Sequence, residues 1–168
     1  RQMCIRDRST CAKFMKRTQV GIIGSGPAGL LLSQLLHCAG IESVILERQS
    51  RAYVEARIRA GILEQGTVDL LREAQVYKKM DEVGLPHDGF GLAFDGRNAR
   101  IDLSALTGGQ QVMVFGQTEV TRELIQARLE AGGVIEYEAP VIAVDDFWDG
   151  KPRIIYEKEG ETHELVCD

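Results

Sequence analysis

Residues 19–23 form a short apolar run that stops at Gly24, the pattern of a buried strand. Residues 27–39 follow with Leu30, Leu31, Leu32, Leu35 and Leu36 spread around nearly every side of a helix, which predicts burial on more than one face. Gly40 stands just past it, where a left-handed backbone ends helices. Residues 43–47 carry Val44, Ile45 and Leu46 without a polar break, as parallel strands covered on both faces do. Together they make a strand–helix–strand unit of about thirty residues.

The pattern then changes. Residues 48–57 read as a short polar helix or loop, residues 63–74 as a helix interrupted by Gly66, and residues 78–83 as a further turn or two. Residues 89–94 and 99–103 flank Asp95-Gly96-Arg97-Asn98, a hairpin-type turn. Residues 112–115 are a strand. Residues 119–131 are an amphipathic helix, with Thr118 as N-cap and Gly132-Gly133 as the stop. Residues 134–137 form another strand. Residues 141–145, 153–157 and 162–167 form a three-stranded meander with turns at 148–150 and 159–160. Residues 1–14 have neither period nor caps, and residues 3–8 read like translated adapter sequence. The expected organisation is therefore an extraneous or disordered leader at 1–14 and a domain over 15–168 that is cut within a strand.

A length of 168 residues, 44% hydrophobic and 27% charged, suits one globular domain and excludes collagen-like, mucin-like and wholly disordered classes. The longest apolar stretch, residues 29–41, is too short for a membrane span and holds Gln34 and His37. Four cysteines form no CxxC pair, and no secretory segment is visible, so a reducing cytoplasm is expected. Cys38 and Cys167 sit in apolar contexts and read as small buried residues. The three histidines share no metal-ligand spacing, and no metal is expected. Net charge is −5, with +3 in residues 1–14 and so −8 in the rest, which argues against a nucleic-acid partner.

Within this acidic body, Gly24-Ser25-Gly26-Pro27-Ala28-Gly29 fits G-x-G-x-x-G and stands in the required context, after a strand and opening a helix. Gly24 suits a tight turn, Gly26 the approach of a pyrophosphate, and Gly29 close helix–strand packing. The N–H groups of the helix start, around Ala28, would face the phosphates. Glu47, eighteen residues after Gly29, can accept hydrogen bonds from both hydroxyls of an adenosine ribose. Arg48, Arg51, Arg57 and Arg59 against Glu55 then give +3 over twelve residues, suited to a second anionic group. The fingerprint alone leaves FAD and NAD open. Ser25 lies in this turn and not in a G-x-S-x-G elbow, so a hydrolase is not expected.

Residues 57–66, Arg57-Ile58-Arg59-Ala60-Gly61-Ile62-Leu63-Glu64-Gln65-Gly66, resemble the single-component flavoprotein aromatic hydroxylases, as do residues 19–32, 44–49 and 115–122. The resemblance implies an α/β fold, a Rossmann-like FAD-binding domain with an antiparallel meander, truncated at its C-terminus. It implies FAD held by Gly24, Gly26, Ala28, Gly29, Glu47, Arg57, Ile58, Arg59, Ala60, Gly61, Ile62 and Gln117. Arg59 would lie near the pyrophosphate. It gives Arg48 and Tyr53 to the 2′-phosphate of NADPH as co-substrate, although residues 50–52 and 55–56 depart from the usual pattern.

The same resemblance implies O₂-dependent hydroxylation of a small aromatic acid, 4-hydroxybenzoate to 3,4-dihydroxybenzoate, without a catalytic side chain in this stretch. The family's later Asp-Gly and Gly-Asp flavin motifs and its aromatic pocket are not in the sequence. An inert FAD-binding fragment and a hydroxylase of another phenolic acid stay open beside this reading. The residues 57–66 motif disfavours an NAD-dependent dehydrogenase. A homodimer belongs to the complete protein, and neither nucleic acid nor membrane is an expected partner.

Overall fold

The structure is a computed structural model that describes residues 16–168 except Arg59 and Asp149. The expected leader, the role given to Arg59 and one residue of the 148–150 turn thus lie outside the described residues.

The chain runs through β1 (Lys16–Thr18) and β2 (Val20–Ile23) into α1 (Pro27–Cys38) and β3 (Ser43–Leu46). Strand β3 is buried along its whole length and pairs in parallel with β2, Val20 opposite Ser43 through Ile23 opposite Leu46. Its side chains alternate between two cores, as the period of a strand dictates. Ile45 packs with Leu30, Leu124 and Ile125 on the helix side. Val44 and Leu46 pack with Ile154, Tyr156, Leu165 and Cys167 on the other. A continuous apolar run is what such double coverage needs. Helix α1 is less enclosed than expected, because Leu32 is 47% exposed while Leu30 is fully buried. Gly40 ends it with φ +73°.

After β3 come α2 (Arg51–Ala56), β4 (Ile62–Glu64) and α3 (Gln65–Glu73). The expected helix over 63–74 therefore starts late. Residues Ile62–Glu64 extend instead to pair antiparallel with a later strand, Leu63 opposite Met113, and Gly66 falls in the first turn of α3 without interrupting it. Tertiary pairing here overrides a local pattern that suits either state. Helix α4 (Lys78–Val83) leads to β5 (Leu85–His87), which the sequence reading did not foresee. The hairpin of β6 (Gly89–Phe94) and β7 (Arg97–Asp102) is tighter than expected. Asp95 (φ +48°) and Gly96 (φ +70°) alone form the turn, and Arg97 and Asn98 join the ladder. That is the two-residue turn whose twist matches its strands.

Short α5 (Leu103–Thr107), also unforeseen, precedes β8 (Val112–Val114), which lies between β4 and β5. Helix α6 (Gln117–Glu130) starts before the expected N-cap, Thr118. Gly116 holds that position without a side-chain bond, and the Gln117 N–H donates instead to the Ala60 carbonyl at 3.1 Å. Strand β9 (Val134–Glu136) completes the parallel sheet in the order β2-β3-β9. Strands β10 (Val141–Asp145), β11 (Arg153–Lys158) and β12 (Glu161–Cys167) form the meander, and β1 adds in parallel to β12. Cys167 is buried as expected, but Cys38 is exposed, because it falls at the open end of α1.

The parallel sheet thus lies between α1 with α6 and the meander. Glu136 at the end of β9 ties the two sheets, accepting from Lys16 on β1 and Lys158 on β11. Burial alone would push its carboxyl up, but the bonds from the two lysines outweigh that and hold it below its ordinary value. A lowered folded value contributes stability above the unfolded value, lost as pH falls through the folded one. Glu136→Gln should therefore cost about 1–2 kcal/mol at neutral pH, a few degrees in Tm. The gap from the parent should narrow once pH drops below about 4.5. A Tm series in pH checks this, and a constant gap would contradict it.

Candidate functional site

The carboxyl ends of β2 and β3 open into a cleft of about 530 Å³, a volume in the range of small-molecule sites. Gly24 to Gly26, Glu47 to Gln49, Tyr53, Arg57 and residues 139–141 line it. Ligands of open α/β sheets sit at this end of the strands. Gly24 makes the turn with φ +102°, and its N–H donates to the Leu46 carbonyl at 2.8 Å. A Cβ on Gly29 would sit 2.2 Å from the Gly24 carbonyl oxygen, so only glycine lets the helix start lie against the turn. A Cβ on Gly26 would meet nothing within 4 Å. Ala28, exposed, and Gly29 precede the first bond of α1, Leu30 N–H to Gly26 carbonyl, so their own N–H groups lack helical acceptors.

Glu47 is only 8% exposed. Its Oε2 accepts from the Ser25 N–H at 2.8 Å and the Ser25 hydroxyl at 3.1 Å, and its Oε1 accepts from the Gln49 N–H at 2.8 Å. The expected acceptor for two ribose hydroxyls thus already holds three protein donors. A carboxylate offers about four lone-pair sites, so one is left, on Oε1. Arg48, Tyr53 and Arg57 line the cleft with exposed side chains. Arg51 does not add to that basic group, because its Nε pairs with Glu55 Oε1 at 2.5 Å. Burial raises the Tyr137 hydroxyl above its ordinary value, and that hydroxyl has no hydrogen-bond partner among the described residues.

Ile58, Ala60, Gly61, Ile62 and Gln117 do not line this cleft. Four of them form a second group, a strap against the start of α6. Gln117 N–H donates to Ala60 carbonyl at 3.1 Å and Phe115 N–H to Gly61 carbonyl at 2.8 Å. A Cβ on Gly61 would lie 3.4 Å from Gly116 Cα. Ile62 is 60% exposed on this strap, and Ile58, which is not part of it, is 90% exposed. Arg57 ends α2 at the cleft and begins the strap. The sequence reading missed the grip of Ser25 and Gln49 on Glu47. It also missed Ala139, Pro140 and Val141 as lining, for which the sequence carries no signal beyond their place after β9.

A sequence model of the family described as "FAD binding domain" matches residues 17–168. The chain belongs to this family. Its FAD binding domain is 53% identical over 152 residues to p-hydroxybenzoate hydroxylase of Acinetobacter baylyi, covering 90% of this chain and 37% of that protein. It is 36% identical over 84 residues to the FAD-dependent monooxygenase paxM of Penicillium paxilli, covering 45% of this chain and 17% of that protein. The fold matches p-nitrophenol 4-monooxygenase PnpA of Pseudomonas putida with a TM-score of 0.78 at 20% identity, over 91% of this chain and 40% of that one. The chain thus spans well under half the length of these relatives.

The cleft fits the ADP half of FAD. The open face at Gly26, the helix-start N–H groups and the remaining capacity of Glu47 match pyrophosphate and ribose in the order that ADP presents them. Gly29→Ala should lower Tm by several degrees, on the order of 1–3 kcal/mol, because a backbone oxygen stands in the way. Gly26→Ala should leave Tm nearly unchanged and weaken FAD binding severalfold, because its methyl enters the cleft. Paired melting and flavin titrations check both, and equal Tm losses would contradict the assignment.

Proposed function

We propose that this chain is the cofactor-holding part of an aromatic hydroxylase that uses FAD and NADPH. 4-Hydroxybenzoate, NADPH, O₂ and a proton become 3,4-dihydroxybenzoate, NADP⁺ and water. The observation that carries the reading is Glu47 at the end of β3, facing the Gly24–Gly29 turn, in a chain 53% identical to a p-hydroxybenzoate hydroxylase.

Bound FAD would supply the redox chemistry, taking a hydride from the nicotinamide and activating O₂. The chain's own residues bind and orient. The N–H groups of Ala28 and Gly29 and the helix dipole stabilise pyrophosphate charge. Glu47 takes the ribose, and Arg57 stands where the cleft meets the strap to add a guanidinium to phosphate. The strap of Ala60, Gly61 and Ile62 against Gln117 offers main-chain and apolar surface for the isoalloxazine end. Arg48 and Tyr53, exposed beside Glu47, form the reading site for the NADPH 2′-phosphate. No side chain described here serves as acid, base or nucleophile, and the aromatic acid is gripped by residues beyond this stretch.

Two measurements test this. A protein carrying this sequence together with its downstream coding sequence should be yellow, and 4-hydroxybenzoate should stimulate its NADPH oxidation and yield 3,4-dihydroxybenzoate. Stimulation by a different phenolic acid alone would assign the site to that acid. Glu47→Ala should weaken FAD binding by about 1–3 kcal/mol in a fluorescence titration.

Arg48→Glu in the same protein should raise KM for NADPH far more than for NADH, since attraction to the 2′-phosphate becomes repulsion. Equal rises in both would place the reading of that phosphate elsewhere.

A further inference from the structure

Ser25 is completely buried in the glycine turn, and both of its donors go to one oxygen of Glu47. The backbone bond needs no particular side chain, since any residue but proline supplies an N–H. The hydroxyl bond does. At 3.1 Å it is a second, independent hold on Oε2, from the strand–helix turn across to the end of β3. With Gln49 N–H on Oε1, three of the four acceptor sites are committed to protein.

We propose that Ser25 is a positioning residue. Its hydroxyl locks Oε2 of Glu47 onto the turn, so that Oε1 alone faces the adenosine ribose and accepts from a single hydroxyl. The inference rests on the FAD reading above and deepens it. Three consequences follow from the geometry. The carboxylate cannot swing between rotamers, so the ribose meets an acceptor already in place, which lowers the ordering cost of binding. The same lock couples the pyrophosphate turn to the ribose carboxylate, because one residue carries both. And one accepting oxygen, in place of two, makes one ribose hydroxyl dominant in recognition.

The test uses the full chain and three ligands: FAD, an FAD analogue with a 2′,3′-dideoxyadenosine, and FMN. Ser25→Ala should raise the Kd for FAD roughly fivefold, the effect of about one net hydrogen bond. It should leave the Kd for the dideoxy analogue and for FMN unchanged, because neither offers a ribose hydroxyl to Glu47. In a Glu47→Gln background, Ser25→Ala should add less than its effect alone. Single 2′-deoxy and 3′-deoxy analogues should differ, only one of them losing affinity in the unaltered chain.

A merely structural serine would weaken FAD and the dideoxy analogue equally, and that result overturns the proposal. So does an unchanged FAD affinity in Ser25→Ala, or additive loss with Glu47→Gln. Should Ser25→Ala fail to fold, Ser25→Cys, with a weak donor of similar size, is read by the same ligand comparison. If the unaltered chain binds FMN and the dideoxy analogue as well as FAD, the parent reading of the ribose site falls, a result distinct from failure of the serine lock alone.

Discussion

Strand β3 must be buried on both faces and still end in a charge. Ile45 faces the α1 and α6 core, and Val44 and Leu46 face the meander. Neither core closes without this strand. The next residue is Glu47, nine-tenths buried itself. A carboxylate taken that far out of water costs several kcal/mol unless hydrogen bonds replace the solvent. Ser25 and Gln49 supply them. The place of the turn over β3 and the place of the Glu47 carboxylate are therefore one solution to one constraint. Moving either would leave a buried charge without its donors.

The second group of site residues obeys a different constraint, the start of α6. A helix leaves its first N–H groups without internal partners. Here one of them, on Gln117, finds the carbonyl of Ala60, so the strap itself does the capping. The strap is thereby fixed relative to a long helix that also packs under β3 through Leu124 and Ile125. Cleft and strap share that helix layer, and Arg57 is the covalent junction between them. Two parts of a long cofactor can thus be held at a set spacing by elements that share one core.

Much of this was legible in the sequence, and for stated reasons. The strand–helix–strand unit, the glycine turn and Glu47 are local patterns whose physics lies within about thirty residues. So do the meander and its Glu159-Gly160 turn, at φ +52° and +78°. What escaped is what depends on distant partners. Leu63 and Glu64 fit a helix until Met113 pairs with Leu63. Thr118 fits an N-cap until Gly116 takes that position and the Ala60 carbonyl accepts from Gln117. β1 becomes a strand only because β12 lies beside it. The +3 count already set Glu55 against four arginines, but only the helix, which puts the two one turn apart, shows that Arg51 is its partner. Even the open valences of Glu47 were overcounted, since Ser25 and Gln49 claim three of them only once the strands are in register.

Charge reinforces this picture. The chain carries −5 overall, which at long range disfavours an anionic cofactor. Within roughly a Debye length, about 8 Å at physiological salt, the local charges decide. There the cleft presents Arg48 and Arg57, and the positive end of α1. Glu55 is paired with Arg51, Glu47 is held by the turn, and Glu136 is held by two lysines. With these three carboxylates held inside the protein, Arg48 and Arg57 stay exposed at the opening. A cation placed there without such pairing would turn toward its acidic neighbours. The ion pairs around the cleft thus favour two exposed arginines at its mouth in an acidic protein.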